Sequence, residues 1–183
     1  GEDSLYKHGI VPWWINTMLQ RLTNAFMQKN YPTILKLSVE MAHYISDAHV
    51  PLHTHSNYNG QLSGQQGIHG FWESRIPELL SEKSFDYFIG KAEYISDPQS
   101  FIWNIVLQSA LAADTVLLFE KRLTDQFPAD QKFAFEERNG VFIRQYSSSF
   151  TIAYNNMLND MVQRRMRQSI FAVASLWYTA WVN

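Results

Sequence analysis

Apolar residues recur at intervals of three and four along most of this chain, which is the spacing of one face of an α-helix. The pattern predicts a first helix from Ile10 to about Asn30 and a second from Pro32 to Pro51. Proline fits the first turn of a helix but interrupts its interior. The prolines therefore mark where these two helices begin and end.

The C-terminal half follows the same spacing. Asp97 and Pro98 combine a capping residue with a first-turn proline and predict a long helix to about Phe127. No segment alternates with period two for long, so no strand is predicted. The other expected elements are a loop at 54–67, a helix beginning near Ile68 and disturbed by Pro77, a short amphipathic segment from Phe85 to Tyr94, a short helix from Asp130 to Arg138 closed by Asn139-Gly140, and a helical region from about Ser147 to Trp181.

These elements predict an all-α fold, a single-domain bundle of several helices that covers residues 1–183. The hydrophobic content of 46% supports a packed core.

A net charge of −2, with dispersed Lys and Arg, gives no electrostatic case for duplex nucleic acid. The lack of cysteine excludes thiolate metal sites, disulfides and a cysteine nucleophile. We find neither a signal peptide nor an uninterrupted apolar run of membrane-spanning length, so no transmembrane segment is expected.

Five of the six histidines lie between Met41 and Glu73. His43 and Asp47 are four residues apart, as are His69 and Glu73, and residues at that spacing share a helix face. One such pair is more often a surface hydrogen bond than a ligand pair. Two pairs, with His53 between them just past Pro51, predict a metal site in the bundle.

The remaining histidines carry less weight. On a continuous helix His49 points about 120° away from the His43 and Asp47 pair, so we expect it to be packed or hydrogen-bonded rather than a ligand. His55 could support a ligand or contact a substrate. His8, in a polar segment, is a possible ligand.

The pattern His43-x3-Asp47-x5-His53, followed by His69-x3-Glu73, resembles the superfamily of zinc-dependent phospholipases C and S1/P1 nucleases. Members are all-α enzymes with a three-zinc cluster. Pro51-Leu52-His53 fits the family's step of a proline two residues before this histidine, and Glu73 favours the phospholipase C branch. The close match covers residues 41–73.

The resemblance implies a role for each of these residues. His53, His69 and Glu73 would hold one zinc that keeps a position open for water or substrate. His43 and Asp47 would hold part of a second zinc, with Asp47 bridging to a third, and Glu73 and Asp47 are the expected catalytic carboxylates. The family's other ligands precede this block, so we expect the chain to lack an N-terminal portion of the enzyme and to bind at least one zinc.

The implied function is hydrolysis of a phosphodiester, most simply in a phospholipid, by zinc-activated water. The family is usually exported, which implies a secreted or periplasmic location. Two alternatives remain open. One is a single-strand nuclease of the S1/P1 type, in which aromatic side chains stack on bases. The other is a non-catalytic all-α module whose one structural zinc is closed by four protein ligands.

Overall fold

The computed structural model describes residues 9–183, so the possible ligand His8 lies outside the described residues. The chain is mostly helical, with one small antiparallel sheet. Its elements in order are α1 (Val11–Met27), α2 (Tyr31–Ala48), a 3₁₀ turn (Pro51–Thr54), α3 (Ile68–Gly70), a π-helical turn (Phe71–Arg75), α4 (Ile76–Ser84), α5 (Pro98–Gln126), β1 (Phe133–Arg138), β2 (Val141–Tyr146), α6 (Ser148–Met157) and α7 (Met161–Val182).

The predicted helices at 10–30, 32–51 and 98–127 are confirmed, within a few residues at each end, as α1, α2 and α5. Their capping follows the sequence signals. The Asn30 side chain accepts a hydrogen bond from the amide of Thr33 at 3.3 Å, and Asp97 accepts one from the amide of Ser100 at 3.1 Å. These helices pack with α7 around one buried apolar cluster, which includes Leu22, Met41 and Ile102.

A second apolar cluster lies beneath the π-helical turn. The ring of Phe71 stacks on that of Tyr146 with centroids 3.8 Å apart, and on that of Tyr154 at 5.1 Å. Phe150 is also within this aromatic group. The group therefore joins the π-helical turn to the end of β2 and to α6.

The predicted helix from Asp130 to Arg138 is wrong, and with it the expectation that no strand is present. Phe133–Arg138 is β1, which pairs antiparallel with β2 through a two-residue turn at Asn139 and Gly140. Both turn residues have positive φ, 52° and 80°, as a type I′ hairpin turn requires. Asn-Gly thus closes a hairpin instead of ending a helix, and the fold is mostly helical rather than all-α.

Two smaller predictions also need correction. The predicted amphipathic segment from Phe85 to Tyr94 contains no helix, and its backbone instead runs along α7, where the amide of Glu93 donates to Ser175 Oγ at 3.1 Å. The long C-terminal helical region is broken into α6 and α7. The break falls at Asn159 and Asp160, which adopt left-handed backbone conformations with φ of 49° and 55°.

Among the described residues, one helix, α5, is long and apolar enough to cross a membrane, with a mean hydropathy of 1.5 over its most apolar window. The criterion uses length and composition only, and core helices of proteins outside membranes also meet it. Here α5 packs against α1 and against the 3₁₀ turn. Of that window, 28% is buried within the structure.

Glu120 on α5 is the centre of a buried polar network. Its side chain is 1% exposed and pairs with Lys132 Nζ at 2.8 Å. The Gln65 side chain donates to the Glu120 carboxylate and, at 2.8 Å, to the carbonyl of Leu117. The network therefore fixes the end of the 54–67 loop and the chain just before β1 to the same point on α5.

We predict that Glu120→Ala lowers the free energy of unfolding by about 3–5 kcal/mol, because it leaves the mostly buried Lys132 ammonium without its carboxylate. Urea unfolding followed by circular dichroism measures the change. Asp125→Ala removes an exposed carboxylate from the same helix and should shift the value by no more than about 0.5 kcal/mol. Equal losses in the two variants would contradict this role for Glu120.

Candidate metal centre

Three side-chain atoms converge at one point between the 3₁₀ turn and the following helix. His53 Nε2 lies 3.0 Å from His69 Nε2 and 3.5 Å from Glu73 Oε2. His69 Nε2 lies 3.0 Å from the same Glu73 oxygen. All three side chains are partly exposed, so the group is open to solvent on one side.

The size of this triangle suits a metal ion. Its centre is about 1.8 Å from each of the three atoms, close to the roughly 2.0–2.2 Å at which imidazole nitrogens and carboxylate oxygens coordinate a metal. Imidazole nitrogen with carboxylate oxygen is a donor set for divalent transition metals. His53, His69 and Glu73 could therefore hold a metal ion.

Each ligand is placed by a local feature of the sequence. Pro51 lacks an amide proton, so α2 ends before it and the chain turns sharply, which brings His53 back beside the helix. His69 lies in α3, and Glu73 lies in the π-helical turn that follows. Gly67, with φ of 94°, supplies the left-handed residue at which the 54–67 loop enters α3.

Glu73 lies in a π-helical turn, and its side chain still meets that of His69, four residues earlier. Such turns accommodate one extra residue and occur often at functional sites. The turn is held from below by Arg75, which is 5% exposed and donates to the carbonyl of Tyr146 at 3.1 Å. Arg75 also pairs with the carboxylate of Glu136 on β1. The hairpin thus fixes the segment that carries two of the ligands.

His43 and Asp47 lie beside this group and are not part of the triangle. His43 Nε2 is 3.4 Å from Asp47 Oδ2, as the four-residue spacing predicts. The same Asp47 oxygen is 3.8 Å from His53 Nδ1, the nitrogen that does not face the triangle. A carboxylate behind a ligating histidine orients its ring and raises its basicity. At 3.8 Å the two atoms are too far apart for a hydrogen bond, so Asp47 lies behind His53 without bonding to it.

His69 has a different environment at its second ring nitrogen. Its Nδ1 is buried and has no hydrogen-bond partner among residues 9–183. Ligating histidines usually donate this second proton to a carbonyl or a carboxylate. The ring instead contacts Tyr58 edge-on, with centroids 6.0 Å apart.

The other two described histidines, His49 and His55, lie in different environments. His49 is buried, and its Nδ1 lies 2.7 Å from the carbonyl of Ile45, which confirms the expectation of a packed, hydrogen-bonded residue. Burial, with a smaller contribution from the charge of Arg165, lowers the pKa of His49 to about 4 although the hydrogen bond to the Ile45 carbonyl raises it, so the ring is neutral at pH 7. His55 shares a shallow cavity of about 270 Å³ with His53, Tyr58 and His69.

Sequence reasoning missed one carboxylate near the site. Asp114 on α5 places Oδ1 3.3 Å from His55 Nε2, across 59 positions of sequence. Its side chain is 88% exposed. No pattern in the sequence around Asp114 indicates this contact, because only the packing of the 54–67 region against α5 brings Asp114 and His55 together.

Two clefts adjoin the ligand group. The first, of about 460 Å³, lies between α2, the π-helical turn and α7, and we call it the Arg165 cleft after the cation in its wall; Asp47 and Glu73 line it as well. The second, also of about 460 Å³, is lined by Asp47, His53 and mainly apolar side chains, including Trp13 and Trp103. We call it the tryptophan cleft.

Comparison with protein-family models, with curated proteins and with solved structures gives no match for this chain. The description of the site therefore rests on the residues and geometry given above.

We predict that the chain binds one divalent ion in the triangle and that His69→Ala removes it. His43→Ala, which deletes a histidine outside the triangle, should retain the ion. Equilibrium dialysis followed by elemental analysis measures the metal content of each variant, and circular dichroism checks that each is folded. Retention of the ion by His69→Ala, or its loss from His43→Ala alone, would show that the triangle is not the binding site.

Proposed function

We propose that this chain is the zinc-binding part of a phosphodiester hydrolase of the phospholipase C type. The observation that carries the proposal is the convergence of His53, His69 and Glu73 on one point with a side left open to solvent. Two histidines and one glutamate, with a fourth position free, form a typical donor set of catalytic zinc. The motif resemblance at residues 41–73 supports zinc over other divalent metals.

The protein side chains have distinct tasks in this proposal. His53, His69 and Glu73 would hold the ion, and Asp47, whose Oδ2 is 3.8 Å from His53 Nδ1, would orient that ring after a small approach to hydrogen-bond distance. Bound zinc supplies a Lewis acid for a phosphoryl oxygen and lowers the pKa of a water molecule toward 7.

The tryptophan cleft favours a lipid substrate. It begins at Asp47 and His53 and continues along Trp13, Trp103 and Val106, so a phosphodiester at the ion would extend its apolar part over this surface. Apolar lining with a few polar groups at one end is the usual composition of a small-molecule site. Glu73 and the net charge of −2 also favour a phospholipid over a polyanionic nucleic acid.

A single-strand nuclease is the second candidate, and one observation favours it. Trp13 is 41% exposed and meets Trp103 edge-on with centroids 5.0 Å apart, so an aromatic face is available beside the ligands. Stacking of bases on such rings binds single strands without a strongly basic surface.

The non-catalytic alternative requires a fourth protein ligand. Structural zinc sites are normally closed by four side chains. In the part of the chain that the structure describes, the group of converging donors has three members. This supports a site that receives water or a substrate.

We expect the zinc-loaded chain to release diacylglycerol from phospholipid micelles, prepared separately with phosphatidylcholine and with phosphatidylserine, and to leave single-stranded DNA intact. The reaction should fall to the rate without protein after dialysis against a chelator and in His69→Ala. Lys36→Ala changes an exposed residue away from the ligands and should retain the full rate. Chromatography of the lipid products and gel analysis of the DNA give the two readouts.

The outcomes separate the three functions. Zinc-dependent cleavage of DNA alone would favour the nuclease. Cleavage of neither substrate by protein that contains one zinc per chain would contradict the hydrolase and favour the structural site.

A further inference from the structure

The Arg165 cleft has no role in holding the metal, yet it borders the ligand group directly. Ser46, Asp47 and His49 of α2 form one wall, Trp72 and Glu73 a second, and Arg165 and Ser169 of α7 a third. The cleft is therefore reachable by a group attached to a phosphodiester at the ion.

Arg165 is a buried cation without an acidic partner. It is 6% exposed, and all its guanidinium hydrogens are taken by uncharged acceptors, among them the carbonyl of His49 at 2.9 Å and that of Ile105 at 3.2 Å. The other acceptors are Gln108, Gln168 and Ser109. No carboxylate pairs with it among residues 9–183, and burial lowers its pKa only to about 10. The guanidinium is thus charged at neutral pH, with its hydrogen bonds satisfied and its charge uncompensated.

Three further hydrogen-bond donors line the same cleft. The indole Nε1–H of Trp72 is buried and unpartnered among the described residues. The hydroxyls of Ser46 and Ser169 lie 3.1 Å apart and hydrogen-bond to each other, so one of them has a proton to share with a ligand. Donors of this kind bind the oxygens of an anion or of an uncharged polar group.

The remaining charges of the cleft belong to Asp47 and Glu73. A divalent ion held by Glu73, with Asp47 behind His53, offsets these negative charges. Arg165 then provides the cleft's uncompensated charge. A quaternary ammonium would be repelled in this environment, whereas an anion would be attracted.

We infer that the Arg165 cleft binds an anionic group, a carboxylate or a phosphate, located beyond the phosphodiester of the substrate. This inference rests on the proposed function and narrows it to substrates with an acidic head group. The positive charge of Arg165 attracts the anionic group. The indole N–H of Trp72 and the two serine hydroxyls donate hydrogen bonds to its oxygens.

The test compares three soluble phosphates by titration calorimetry on the zinc-loaded protein. Phosphocholine carries a quaternary ammonium beyond its phosphate, glycerol 3-phosphate carries hydroxyls, and 3-phosphoglycerate carries a carboxylate. We expect 3-phosphoglycerate to bind at least about tenfold more tightly than phosphocholine, the factor for one charge-assisted contact. Glycerol 3-phosphate should lie between them.

Two variants assign the preference to the cleft, because a carboxylate could also bind the zinc. Trp72→Phe removes an N–H that has no protein partner, so it should fold and lose part of the preference. In Arg165→Met the affinities for 3-phosphoglycerate and phosphocholine should differ by no more than about twofold. Thermal unfolding checks both variants, and Trp72→Phe decides the matter if Arg165→Met does not fold.

Phosphocholine binding as tightly as 3-phosphoglycerate, or a preference that is unchanged in Trp72→Phe and in folded Arg165→Met, would overturn the inference. The proposed function is judged separately, by whether glycerol 3-phosphate binding requires zinc. Binding of glycerol 3-phosphate that does not depend on zinc contradicts the proposed hydrolase function. Absence of a preference for 3-phosphoglycerate contradicts only the anion site in the Arg165 cleft. Failure of all three phosphates to bind contradicts both.

Discussion

The candidate metal centre depends on a short segment that is fixed at both of its ends. Residues 67–76 carry His69 and Glu73, and polar contacts fix the chain on either side of them. Before the segment, Gln65 is bonded to Glu120 on α5. After it, Arg75 is bonded to Tyr146 and Glu136 of the hairpin. This scaffold brings His69 Nε2 to 3.0 Å from a Glu73 oxygen. His53 completes the set from the 3₁₀ turn, with its Nε2 within 3.5 Å of both atoms.

The hairpin takes part in both contacts. Lys132, just before β1, neutralises Glu120, while β1 and the end of β2 bind Arg75. A small sheet on a helical protein therefore does more than cover its core, because it determines where the π-helical turn lies. Preorganisation of this kind reduces the ordering that accompanies metal binding and favours a defined geometry at the ion.

Much of this arrangement could be predicted from local sequence signals, and the rest depended on distant contacts. Prolines and caps located α1, α2 and α5. The histidine spacings selected five candidate ligands, of which His53, His69 and Glu73 converge in the structure. The hairpin was missed because each strand has only six residues and the Asn139-Gly140 turn also suits a helix end. Arg75 and Glu136 are 61 positions apart, and Arg165 and the His49 carbonyl are 116 apart. No local pattern reports such contacts.

The central claim is that two histidines and one glutamate hold a zinc ion and leave a position for a ligand from solution. X-ray absorption at the zinc edge of the loaded protein tests it most directly. The account predicts two imidazole ligands and two oxygen ligands at roughly 2.0–2.1 Å, with one oxygen replaced when a thiol inhibitor is added. Three or more imidazoles, or a first shell that does not change with the inhibitor, would contradict it.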